Sequence, residues 1–205
     1  MRQEVTTVED LRAIIGHPSK GVAEKVRATL TPIHQDWLRH SPLGFVATTD
    51  ADGRMDVSPK GDPSGQFVHV IDERTIAIPE RPGNKRADGF LNVLQRPRVG
   101  TLFVVPGRGD TLRVNGHATI LADADYFDAM TVNEKRPVLA MEIVVEEVFF
   151  HCPKAFLRSD AWRPGTWDPT ALPSVAQMVY AMDQGMSLAE WEKELGEERM
   201  RTQLY

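Results

Sequence analysis

Cysteine is nearly missing from this 205-residue chain: Cys152 is the only one. That excludes an intrachain disulfide and any multi-cysteine metal site, and it fits a reducing, cytoplasmic setting. Long apolar runs are missing too. No stretch approaches the roughly 18 consecutive apolar residues of a membrane span, and Met1-Arg2-Gln3-Glu4-Val5 has no apolar segment, so neither membrane insertion nor a secretory signal is expected. There is no excess of positive charge. With 24 Lys and Arg against 29 Asp and Glu, the net charge is −5, which argues against nonspecific binding to nucleic acid or to an anionic membrane surface.

Familiar catalytic spacings are also absent. The histidines at 17, 34, 40, 69, 117 and 151 are scattered. None forms an HExxH pair, and His34 and His40 would fall on different faces of a helix, so a catalytic metal site is not expected. Gly107-Arg108-Gly109 lacks the third glycine of a dinucleotide fingerprint and reads as a turn. No GxxxxGK[ST] loop and no GxSxG elbow occurs. Cys152 follows His151, but adjacency in sequence does not make a nucleophilic dyad; an ordinary thiol is the simpler reading.

Against this background, residues 79–97 stand out. A strand-like run ends at Ile78, a Pro/Gly loop follows, and a helical pattern begins at Asn84. Arg81, Lys85 and Arg86 lie within six residues of one another. A helix start with outward N–H groups and nearby cations suits a small anionic ligand such as a phosphate.

The surrounding pattern is mainly β. Gly44–Thr49 and Arg54–Ser58 read as strands around the turn Asp50-Ala51-Asp52-Gly53, and Phe67–Ile71 and Thr75–Ile78 as a second hairpin. Further strands are expected over 98–105, 111–121 and 137–150, with a helix from Asn84 to Gln95 and a short one over 123–130. Helices are expected over 8–15, over 20–39 with Pro32 as a dividing point, and over 175–182 and 188–195. The last carries a capping box on Ser187 and Glu190. Six to seven strands in hairpins predict a largely antiparallel sheet, closed or split into a barrel to remove its edges. The domain expectation is an N-terminal helical segment (1–40), a barrel (41–151) and a C-terminal arm or lid with two helices (152–205).

Three cationic segments occur in order: Val57-Ser58-Pro59-Lys60-Gly61-Asp62, Asn84-Lys85-Arg86, and Thr111-Leu112-Arg113-Val114-Asn115-Gly116. Together with Lys154-Ala155-Phe156-Leu157-Arg158-Ser159, this order over residues 38–163 resembles the FMN-binding split barrel of the pyridoxamine 5′-phosphate oxidase family, and in particular its probable FMN-dependent branch. The resemblance implies a homodimer with FMN at the subunit interface and an oxidoreductase acting on a small molecule. It implies that Val57, Ser58 and Lys60 line the flavin. Asn84, Lys85 and Arg86, with Arg81 beside them, would grip the 5′-phosphate. Thr111 would point toward the ring near Arg113, and Arg158 and Trp162 would close the site, including that of the partner. The physics agrees, since Lys and Arg supply charge-assisted hydrogen bonds to a dianionic phosphate. The chain also departs from the oxidase. The loop Arg81-Pro82-Gly83 is longer, and no Arg-x-His follows Arg158, so pyridoxamine phosphate is not implied as substrate. An F420-dependent reductase and a non-enzymatic flavin- or haem-binding protein are the alternative readings.

Overall fold

The computed structural model describes residues 2–205. Its elements run α1 (Val8–Ile15), α2 (Lys20–Ala23), α3 (Pro32–His40), β1 (Leu43–Thr49), β2 (Met55–Gly61), β3 (His69–Val70), β4 (Thr75–Pro79), α4 (Asp88–Gln95), β5 (Arg98–Val104), β6 (Thr111–Leu121), β7 (Ala140–His151), α5 (Lys154–Arg158), α6 (Val175–Met182), α7 (Leu188–Leu195) and α8 (Glu197–Arg201). The strands form one seven-stranded sheet in the order β2-β1-β5-β6-β7-β4-β3, with every neighbouring pair antiparallel.

Alternation builds the core. Val46, Val99, Phe103, Leu112, Val114, Ile143 and Val148 point to one side of the sheet and pack with Leu38, Phe67 and Phe90 into a single cluster. Phe67 and Phe103 are at most 1% exposed; truncating such a ring to Ala costs about 3–5 kcal/mol. A β-bulge falls between Asn115 and Gly116. A Cβ on Gly116 would lie 2.1 Å from the Val144 carbonyl oxygen, so only glycine fits there.

The sheet curls until its ends nearly meet. β2 and β4 are five places apart in the sheet order, yet Lys60 Nζ lies 2.5 Å from Glu80 Oε2 and Arg81 Nε lies 2.8 Å from Asp62 Oδ2. The edge strands β2 and β3 share no backbone hydrogen bonds. The barrel is therefore split rather than closed, and side-chain ion pairs span its seam.

Several expectations need correction. The pattern over 20–39 is broken between Ala23 and Pro32, because Arg27 exchanges two backbone hydrogen bonds with Val148 and Leu30 N–H donates to the Glu73 carbonyl. Pro32 then starts α3, where its missing N–H does no harm. The strand over 67–71 shrinks to two residues. The helix over 123–130 is a single 3₁₀ turn, Phe127–Met130. The helix expected from Asn84 begins only at Asp88. Lys85 (φ 61°) and Ala87 (φ 54°) are left-handed and cannot belong to it. Helices α5 and α8 were not anticipated. The ranges 175–182 and 188–195 are met in full, and the Ser187–Glu190 capping box forms.

Candidate functional site

β2 is an edge strand, so one row of its backbone N–H and C=O groups has no strand partner. Its side chains alternate. Asp56, Ser58 and Lys60 are half-buried on the inner face, whereas Met55, Val57 and Pro59 are exposed on the outer face. The inner face looks across the seam at the segment that leaves β4, residues Glu80 to Ala87.

That segment is held by its own polar groups. Asn84 Oδ1 accepts from the Arg86 N–H at 3.0 Å, and Arg86 Nε donates to Asp88 Oδ2 at 2.8 Å. The Asp88 carboxylate raises the Arg86 pKa. Left-handed backbone at two non-glycine residues, Lys85 and Ala87, costs about 1–2 kcal/mol each. Such strain persists where the surroundings enforce it, most often at binding sites. Lys85 is exposed and has no carboxylate partner among the described residues, unlike Lys60, Arg81 and Arg86.

Two cavities open on the seam. A pocket of about 420 Å³ is lined by Ser58 to Asp62, Phe67, Pro79 to Lys85, Ala87, Leu204 and Tyr205. A smaller one of about 150 Å³ lies between Ser58, Lys60, Asn84, Arg86 and α4. Six of the residues singled out from sequence therefore converge: Ser58, Lys60, Arg81, Asn84, Lys85 and Arg86.

Arg81 is more deeply engaged than its place in a basic loop suggested. Its side chain is 12% exposed and that of Asp62 is 2% exposed. Arg81 Nη2 donates to the Met130 carbonyl at 2.8 Å, while Nη1 is buried with no partner. Tyr205 Oη donates to the other Asp62 oxygen at 2.9 Å, and its ring centroid lies 5.8 Å from the Arg81 guanidinium carbon. Burial, then the hydrogen bond to Asp62, pushes the Tyr205 phenol up. Asp62, Glu80 and Tyr205 were not picked out as site residues. The two carboxylates each stand close to a base in sequence, Asp62 after Lys60 and Glu80 before Arg81. Nothing local announces Tyr205, 143 residues from its partner Asp62.

The remaining candidates line none of these cavities within one chain. Strand parity explains two of them. Val57 lies on the outer face of β2, in register with Ala47, Gly100 and Asn115 across the sheet. Arg113 lies in the next row with Leu102, Phe45 and Pro59. Its guanidinium carbon is 4.2 Å from the Phe149 ring centroid, its Nη2 is 3.9 Å from Glu147, and its Nε is buried without a partner. Thr111 is buried opposite Val104 and His151. The His151 pKa is lowered by burial, then by Arg113 and Lys25. Arg158 ends α5 in an exposed position. Trp162 Nε1 donates to the Arg108 carbonyl, and its ring stacks on Phe156 with centroids 5.6 Å apart.

Comparison with known proteins gives this arrangement a family. The model of the family described as pyridoxamine 5′-phosphate oxidase matches residues 30–152, more than half of the chain. No curated protein sequence matches significantly. Among solved structures, HupZ from Group A Streptococcus is 25% identical, with a TM-score of 0.47 over 59% of this chain and 93% of that one. An FMN-binding protein from Syntrophomonas wolfei subsp. wolfei is 12% identical, with a TM-score of 0.44 over 58% of this chain and 89% of that one. An F420 reductase is 20% identical, with a TM-score of 0.41 over 60% of this chain and 98% of that one. The chain belongs to the pyridoxamine 5′-phosphate oxidase family, as its family-model match shows.

Proposed function

We propose that this member of the pyridoxamine 5′-phosphate oxidase family is an FMN-dependent oxidoreductase acting on a small molecule, with FMN held in the barrel seam. The observation that carries the reading is the convergence of Lys60, Asn84, Lys85 and Arg86 on adjoining cavities beside an open strand edge. The residues fit the cofactor by the chemistry of their donors. Lys85 is a free cation on a strained loop, with Asn84 and Arg86 on either side. Such a set suits a phosphate dianion. The unpaired edge of β2 suits a flat heterocycle with donors and acceptors on its rim. The larger cavity lies within the range of roughly 300–1,000 Å³ typical of ligand sites.

FMN, when bound, supplies the two-electron chemistry, so no protein nucleophile is required. The chain's own residues bind and orient. In this reading Lys85 and Arg86 hold the phosphate, Ser58 and Lys60 face the ring, and the Asp62–Arg81 pair keeps the seam at a fixed width. Lys60 is neutralised by Glu80 and lies 5.4 Å from the Phe90 ring centroid, which keeps its charge local.

We further propose a homodimer through the outer face of β1 and β2. Phe45, Met55 and Val57 are exposed there, at 38%, 66% and 60%. A second copy seated on that face would cover them and bring its own Thr111, Arg113, Arg158 and Trp162 toward the first copy's seam. The purified protein is expected to show flavin absorbance bands, or to acquire them on titration with micromolar FMN. A colourless protein that takes up F420 but not FMN would overturn the choice of cofactor. One that takes up neither would overturn the redox reading.

A further inference from the structure

A third cavity, of about 500 Å³, adjoins the seam on the far side of the Arg81-Pro82-Gly83 loop. Much of its lining is apolar, from Pro82, Pro137, Val138 and Leu139, with Tyr205 beside them. Val138 is 74% exposed, a large apolar side chain left open beside a preformed hollow. The rim is cationic. Lys85 and Lys135 have no carboxylate partner among the described residues. Arg136 is held by Asp123 and Asp128 and so is already neutralised. Glu80, the only acid in the lining, is spent on Lys60. With Lys85 given to the cofactor phosphate in the reading above, the result is an apolar hollow with one uncompensated positive charge, Lys135, in its lining.

We infer that this hollow is a subsite for a small organic anion: an apolar, ring-sized body bearing one carboxylate or phosphate ester, seated on Val138 and Leu139 with its charge toward Lys135. Water already solvates an inorganic anion well. An apolar body with a charge at one end gains from both the floor and the rim. The cavity shares Glu80 to Gly83, Lys85, Ala87 and Tyr205 with the seam pocket, so an occupant lies one loop away from the proposed cofactor. That this anion is the reacting substrate rests on the FMN reading; that it binds does not.

The test is calorimetric titration of the full chain, as purified and after incubation with FMN, with phenyl phosphate, benzoate, benzyl alcohol and inorganic phosphate. Phenyl phosphate or benzoate is expected to bind at least about tenfold more tightly than benzyl alcohol and than inorganic phosphate. The ratio between the two organic anions tells phosphate ester from carboxylate. Lys135→Glu and Val138→Asp should each weaken the preferred anion about tenfold or more, and Lys135→Arg should keep it. The flavin spectrum and FMN affinity should stay at parent values in all three, since neither residue is assigned to the cofactor. Equal binding by Lys135→Glu and the parent, or inorganic phosphate binding as tightly as phenyl phosphate, overturns the subsite. If the protein fails to take up FMN but binds phenyl phosphate in a Lys135-dependent way, the subsite stands and the cofactor reading falls.

Discussion

The inner side of the sheet at the seam and its outer face carry two groups of candidate residues that look alike in sequence and behave differently in space. On the inner face, Lys60 and Arg81 are each locked to a carboxylate across the barrel seam, and Lys85 is left free on a strained loop. On the outer face, Arg113 is stacked on Phe149, and Val57 is bare. The inner group forms cavities from one chain alone. The outer group lines none of the seam cavities; beside it, on the same face, Ala47, Met55, Gly100 and Asn115 line a separate open hollow of about 630 Å³, and apolar side chains are left in water. The proposed site, with its halves on opposite faces of one sheet, would need a second molecule to become whole, and that is the physical case for the proposed dimer.

Four experiments would break or sharpen this contrast. The largest effect is expected at the seam. Asp62→Ala would leave the Arg81 guanidinium buried without its counter-charge, at a cost of about 3 kcal/mol in stability. A denaturant melt would measure it, and a loss below 1 kcal/mol would mean that the pair does not hold the seam. Next comes the loop. Lys85→Glu with Arg86→Glu should weaken FMN binding at least about 100-fold, roughly 2.7 kcal/mol. Both side chains are exposed, so the melting temperature should hardly move. Unchanged flavin-quenching titrations would remove the phosphate assignment.

On the outer face, Val57→Glu should raise the dimer dissociation constant about tenfold or more, read by sedimentation equilibrium at several concentrations. A monomeric parent, or a variant that dimerises equally well, would separate the outer face from the site. The smallest effect is on pH. Burial lowers the pKa of His34, His69 and His151 below their ordinary 6.5, with Arg27 adding to the effect on His34 and Arg113 and Lys25 to that on His151. Near pH 6 the unfolded chain then binds more protons than the folded one. Stability is complete above about pH 6.5 and is lost as pH falls through that value toward the lowered pKa values. None of the three histidines lines the seam cavities. Melts between pH 7.5 and 5.5 should therefore show a decline that His151→Gln reduces and that the seam variant Asp62→Ala does not.

Much of this was legible beforehand because it is local. Alternation in β1, β5 and β6 follows from period-two side chains, and the capping box of α7 is written in Ser187 and Glu190. Ser58, Lys60, Asn84, Lys85 and Arg86 could be grouped through the resemblance, because the segments that carry them stand in the family's order. The misreadings were tertiary. Residues 24–31 have helical spacing, but Arg27 and Leu30 give their backbone groups to Val148 and Glu73. The start of α4 was placed at Asn84, because nothing in Lys85 or Ala87 announces a positive φ in a residue with a Cβ. The family resemblance groups Val57 and Ser58 on the flavin; within one chain they face opposite sides of β2.

By itself the sequence determined a mainly β chain of hairpins, an acidic protein with one basic loop, and the membership that residues 30–152 carry. The first two depend on composition and on periods of two to four residues; the membership depends on several motifs standing in the family's order. Only the tertiary structure decided that Lys60–Glu80 and Asp62–Arg81 span the opening of the split barrel, and that Tyr205 stands between two cavities. Each depends on how far a seven-stranded sheet curls. That curl is the sum of many small twists between strands, and no short stretch of residues specifies it.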